Sequence, residues 1–180
     1  NFPGNRISVT EFSTNGNFIG YGVEGYEFTL DSDIVFQTPS ELGVHHSIVK
    51  SDNDTYFFID TDLELMDCPI ECDDSLPNPI NWLGDRFLEV DKDGNIIWEW
   101  NTFDYLSSNE YNPQWLSTTD AANHFDWTHS NSVFFDEGSN IVYVSMRNLS
   151  RITAIDYTAK EIIWNLGDPN FMYQIFFIKI

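Results

Sequence analysis

Three side chains able to hold an oxyanion fall close together in Asp126-Trp127-Thr128-His129-Ser130-Asn131-Ser132 and in the Ser145-Met146-Arg147 segment beyond it. An imidazole and a carboxamide can donate to developing negative charge, and a guanidinium grips a tetrahedral oxyanion with a planar fork. His129, Asn131 and Arg147 therefore form a candidate anion cluster. The four histidines occur in two places, His45 with His46 and His124 with His129, each opening a pair of expected strands. Neutral histidine there can serve as acid, base, nucleophile or donor; polar lining around ordered water is the competing use. Arg147 is one of only eight basic residues, and it shares an expected hairpin with His129 and Asn131. Arg151 reads as a surface or ion-pair residue.

The elements that must position these residues form a repeat. Tyr26 to Phe36, Phe87 to Trp100 and Ile152 to Trp164 each run as a strand, an acidic or glycine turn, and a strand ending in an aromatic residue. β-Branched and aromatic residues flanking a short polar turn predict hairpins. Further strands are expected at 47–50, 56–60, 132–135 and 141–145. Four-stranded units recurring at roughly 60 residues predict an all-β fold of β-propeller blades, about three of them, with a β-sandwich as the competing architecture. In a propeller the start of each innermost strand lines the central channel, so the histidines should converge there. Trp98, Trp100 and Trp164 read as blade core, and Trp127 could both fill core and orient His129. Two insertions, near 61–82 and 101–123, read as a long loop and as a loop with a helical turn or two. The apolar tail from Phe171 to Ile180 lacks the repeat pattern. Residues 1–180 thus read as a partial propeller domain, a fragment of a longer chain or a part closed by other chains.

Composition narrows the partners. With 42% hydrophobic residues the chain can bury a sizeable core. Its formal net charge of -21, from 29 acidic against 8 basic residues, would repel a phosphate backbone, so nucleic acid is excluded as a partner. No run reaches the roughly 18 apolar residues of a membrane span. Neither an initiator Met nor a leader is present, as in a mature or truncated segment. Cys68 and Cys72 form a lone C-x3-C pair, with no second pair for zinc. A local disulfide is the preferred reading and two free thiols the alternative; a disulfide would imply an oxidising compartment, hence an exported, periplasmic or extracellular protein. Asn53 and Asn148 head N-glycosylation triplets. No cofactor is implied, though calcium could be held by Asp91-Lys92-Asp93-Gly94-Asn95, which reads first as a hairpin turn, or by Asp60-Thr61-Asp62 and Asp73-Asp74.

The runs Asp126 to Val133, Ser145 to Ser150, Ile155-Asp156 and Ile163-Trp164-Asn165-Leu166-Gly167 resemble the bacterial arylsulfotransferase family. His45-His46-Ser47-Ile48 is similar to that family's His-His-Asp-Ile segment, with Ser47 in place of the acid. The resemblance implies a six-bladed propeller that moves a sulfuryl group from a phenolic sulfate ester to a phenol through a sulfohistidine. By motif it implies that His129, Asn131 and Arg147, joined by His46, bind the sulfuryl oxygens and stabilise the transition state, with His129, Arg147 and His46 as the catalytic candidates; His45 and Trp127 join Asn131 as candidates for lining the substrate site. The family's nucleophilic histidine has no counterpart here and is expected in a later blade. A non-catalytic secreted propeller, used for binding or assembly, is the alternative.

Overall fold

The computed structural model of the chain describes residues 6–69, 77–112, 115 and 124–167. Three four-stranded sheets dominate it, each an antiparallel meander in which every strand pairs with its sequence neighbour. The first blade holds β1 (Ser8–Phe12), β2 (Phe18–Tyr21), β3 (Gly25–Phe28) and β4 (Ile34–Gln37). The second holds β5 (Ile48–Lys50), β6 (Tyr56–Met66), β7 (Ile80–Val90) and β8 (Ile96–Asn101), followed by the one-turn helix α1 (Thr102–Tyr105). A two-residue strand, β9 (Phe125–Asp126), then adds in parallel to β7. The third blade is β10 (Ser130–Asp136), β11 (Ile141–Met146), β12 (Arg151–Asp156) and β13 (Ile162–Gly167). These are propeller-type blades, and the three hairpins read from the sequence are the third and fourth strands of each. β1 and β2 are not among the strands expected from the sequence: both are short, Ser8–Phe12 mixes apolar and polar residues, and Gly20 interrupts Phe18–Tyr21.

The repeat is built at one recurring irregularity. In all three blades the third strand shifts register after its pairing with an aromatic of the fourth: Glu27 with Phe36, Glu89 with Trp98, Ala154 with Trp164. A bulge bends its strand and re-aims the side chains beside it. The Phe36 ring stacks on Tyr56 of the second blade with centroids 3.7 Å apart, and the Trp98 ring stacks on Tyr157 of the third at 5.5 Å. Trp98 and Trp100 also donate their indole N–H groups to the carbonyls of Tyr157 and Lys160. Trp98 and Trp100 are core, as expected. Trp164 is not: it is 42% exposed, because its fourth strand has no described sheet stacked on it.

Carboxylates reinforce the same seams. Buried Glu27 accepts from Tyr56 Oη at 2.5 Å and from Lys50 Nζ at 3.0 Å, while Glu89 accepts from Tyr157 Oη and Thr55 Oγ1, both at 2.6 Å. Burial alone would push the Glu27 carboxyl up, but the Tyr56, Asn17 and Lys50 donors outweigh it and hold it below the usual range.

The insertion expected as a loop at 61–82 is strand at both ends. Register runs unbroken from Tyr56↔Val90 to Met66↔Ile80, so Thr61 to Met66 and Ile80 to Trp82 extend the β6–β7 hairpin. The physical reason is the alternation Asp62-Leu63-Glu64-Leu65, which suits a two-faced ribbon, opposite the buried Ile80 and Trp82. Of the 101–123 insertion, α1 supplies the expected helical turn; residues 113–114 and 116–123 lie outside the described residues, as does the 171–180 tail. Cys68 is disulfide-bonded, and Cys72 lies outside the described residues. Asp91-Lys92-Asp93-Gly94-Asn95 is a hairpin turn, with Asp91 Oδ1 accepting from the Asp93 and Asn95 amides at 2.9 Å. Asp60 pairs with Arg86, and Asp62 accepts from Asn101. Asp73 and Asp74 lie outside the described residues.

Helix α1 lies directly on β7 at Gly84. A Cβ there would sit 2.6 Å from Thr102 Oγ1 and 2.7 Å from the Phe103 ring. Gly84→Ala should therefore destabilise the fold by about 1–3 kcal/mol through overpacking, read as a lower urea midpoint with unchanged slope.

Candidate functional site

The inner strands β1, β5 and β10 lie side by side. Thr10 Oγ1 donates to the Ile48 carbonyl at 2.6 Å, and the Val133 amide donates to Ser47 Oγ at 3.4 Å. Ser47, the residue that replaces an acid in the family-like segment, thus ties the second blade to the third. An open cleft of about 660 Å³ runs along these strands, with His46, Asn131 and Ser132 on its wall and Val49 and Phe134 among its apolar lining.

His46 lines the cleft, whereas His129 and Arg147 lie beside it and reach it through His46; the two histidines occupy equivalent places in the repeat. Each immediately precedes a serine at the start of an inner strand, and each has a left-handed backbone, with φ of 59° and 45°. A non-glycine residue in that conformation costs of order 1–3 kcal/mol and persists only where its surroundings dictate it. The rings approach to 5.1 Å between centroids, and His45 lies 5.3 Å from His46 on the other side. His124 is half-buried just ahead of β9; the ring contacts that define the cluster run through His45, His46 and His129.

The 124–130 segment reaches this place because it is zipped to the second blade. Phe125 and Asp126 pair with Trp82 and Leu83, and the Trp127 amide donates to the Leu83 carbonyl at 3.0 Å. Trp127 is packed edge-on against Trp82 and beside Phe103, with its indole N–H on the Glu110 carbonyl at 2.8 Å. It is 1% exposed, so it supports the site from beneath rather than lining it.

The β10–β11 hairpin delivers Arg147. Its amide donates to the His129 carbonyl at 3.1 Å, and the next amide, Asn148, donates to the Thr128 carbonyl at 3.1 Å. The Arg147 guanidinium donates through Nε to Asn148 Oδ1 at 3.0 Å and lies 4.8 Å from the centre of the Trp115 ring. Asp126 Oδ2 stands 2.5 Å from His129 Nδ1 and 3.8 Å from Arg147 Nη2, so one carboxylate faces both cationic candidates. Nδ1 of His129 is thus turned to Asp126. Asn148 is buried, and its Nδ2 donates to the Asp126 carbonyl at 2.6 Å. That glycosylation triplet is therefore closed in the folded chain, whereas Asn53 is exposed and donates to Glu137. Arg151 forms the expected ion pair, with Glu110 at 2.6 Å.

His45 turns away from the cleft toward Asp85, with Nε2 3.1 Å from Oδ1. Asp85 Oδ2 accepts from Thr128 Oγ1 at 2.5 Å and from the Ser130 amide at 2.8 Å. Burial would raise this carboxyl, but His45, Thr128 and Ser130 together hold it below the usual carboxylate range. Asp85 and Asp126 are the members of the site that sequence reasoning left without a role. The available signal was Asp85 itself, an ionisable residue between Gly84 and Arg86 in an apolar strand.

Blade repeats with a histidine and arginine cluster at the seam between two of them define the class of protein. The family model described as Arylsulfotransferase (ASST) matches residues 7–176, and the chain belongs to that family. A search of curated proteins found no match.

The His46 ring is pushed down to a pKa of about 4 from 6.5, by lost hydration first and then by the neighbouring His45, His129 and Arg147, with Asp85 opposing. At neutral pH it is an uncharged imidazole. Because the unfolded chain protonates it more readily, the stability it contributes is full above about pH 6.5 and is lost as pH falls toward about 4. Imidazole NMR should place the His46 midpoint near 4; a midpoint near 6.5 would show that its neighbours do not act on it.

Proposed function

We propose that this chain carries the sulfuryl-binding side of an aryl-sulfate sulfotransferase, which moves a sulfuryl group from a phenolic sulfate ester to a phenol. The observation that carries this reading is the meeting of His46 and His129, rings 5.1 Å apart, with Arg147 hydrogen-bonded to the His129 backbone, in a chain of the arylsulfotransferase family. Asn131 lines the cleft together with His46.

The chemistry suits these groups. Transfer passes through a loose transition state in which negative charge spreads over the peripheral oxygens, as in phosphoryl transfer, so fixed donors outweigh covalent strain. Arg147 supplies a permanent charge and a fork of N–H groups. His129 addresses the oxygens through Nε2, Asn131 through its amide, and His46, uncharged at neutral pH, can donate or accept without adding charge. In a sulfohistidine route the bond from sulfur to the donor phenolic oxygen breaks as the bond from sulfur to an imidazole nitrogen forms. The acceptor phenol oxygen then attacks sulfur, restores the imidazole and gives up its proton. None of the four histidines is assigned the attack; the residues here hold the group in transit. The disulfide at Cys68 supports an exported, oxidising setting.

Arg147→Ala in the full-length protein should lower turnover of an aryl sulfate such as 4-nitrophenyl sulfate with a phenol acceptor on the order of a hundredfold or more. Near-normal turnover with intact folding would overturn the reading.

A further inference from the structure

The two left-handed histidines are held by the same group. The residue just before His46 is His45, and the residue just before His129 is Thr128. His45 Nε2 meets one oxygen of Asp85 at 3.1 Å, and Thr128 Oγ1 donates to the other at 2.5 Å. The residue after His129, Ser130, donates its amide to that second oxygen at 2.8 Å. One fully buried carboxylate on β7 therefore hydrogen-bonds to both neighbours of His129 and stands at ion-pair distance from the neighbour of His46, across the seam between two blades.

Among the described residues, Asp85 is the side chain that meets the residues adjoining both histidines. Asp126 reaches the His129 ring but sits on the same segment. Asp85 is itself anchored, since its amide donates to Thr102 Oγ1 at 3.0 Å where α1 rests on β7. Its position is set by the second blade, and through it the second blade dictates where the third blade's histidine stands.

We propose that Asp85 is a positioning residue for the sulfuryl site, setting the separation and aim of His46 and His129 through the residues adjoining each. The inference rests on the sulfuryl-transfer reading for its kinetic consequence, while its structural content stands apart from it. Asp85 touches no substrate. Its effect falls on kcat, because a misplacement of about 1 Å in groups that act on a transition state costs on the order of a hundredfold.

The test uses the full-length protein, with Asp85→Asn and Thr128→Val made separately and together. Asp85→Asn removes the charge that faces His45, and Thr128→Val removes a single hydroxyl at constant shape. The expected kcat losses are on the order of a hundredfold and about tenfold, with KM for 4-nitrophenyl sulfate little changed. The double variant should lose no more than Asp85→Asn alone, because both act along one route. In parallel, imidazole NMR should show the His45, His46 and His129 signals displaced in both variants and the Ser130 amide moved upfield in Asp85→Asn. If Asp85→Asn fails to fold, Thr128→Val carries the same test. Unchanged kcat in folded variants of an active enzyme, or His46 and His129 signals that stay in place, would overturn the inference. A wild-type protein inactive on aryl sulfates would overturn the sulfuryl-transfer reading alone, and the NMR signals would still decide for or against Asp85.

Discussion

A four-stranded blade cannot bury both of its faces by itself, and Phe36 and Trp98 show how this chain solves the problem. Each belongs to a fourth strand, each follows a bulge, and each lays its ring on a tyrosine of the next blade. Stacking of this kind fixes the angle and distance between successive sheets. Once these are fixed, the inner strands β5 and β10 must run side by side, and the residues that open them must face each other. The closeness of His46 and His129 thus descends from aromatic contacts near the rim rather than from any attraction between the two rings.

Charge is distributed along the same seams. A chain with a net charge of -21 gains nothing from burying carboxylates unless each finds donors, since a desolvated and unpaired carboxylate is strongly destabilising. Glu27, Glu89 and Asp85 are all buried, and each accepts a hydroxyl from a neighbouring blade: Tyr56, Tyr157 and Thr128. Two of these acids join sheets. The third joins sheets and also lies behind the histidines. Against so acidic a background, Arg147 brings positive charge to the histidines, with Asp126 3.8 Å and the Trp115 ring 4.8 Å from its guanidinium.

Much of this was legible because it is periodic. The strand–turn–strand–aromatic pattern located the second hairpin of every blade, and the motif around His129 and Arg147 located the cluster. What escaped was everything set by contact between segments distant in sequence. The strands that continue past Asp60 look like an acidic loop until Thr61 to Met66 find a partner strand. Trp164 looks like Trp98, but burial depends on what is stacked against it. Asp85 is 43 residues from Thr128 in sequence, and no local pattern announces that the two share a hydrogen bond. The pair His45-His46 reads as one unit in the sequence, yet the left-handed turn at His46 parts the two side chains, and His45 meets Asp85.

The left-handed backbones of His46 and His129 bear on how either residue is to be understood genetically. Histidine tolerates that conformation better than most residues, whereas alanine has no local means of compensating for it. Exchange for alanine would therefore remove a ring and disturb the chain at the same moment, and the loss could not be ascribed to either. Asparagine, which accepts the same dihedral angles while lacking the imidazole, separates the two effects. The left-handed backbone makes each position a joint constraint on side chain and chain path, which narrows the residues that can occupy it to very few.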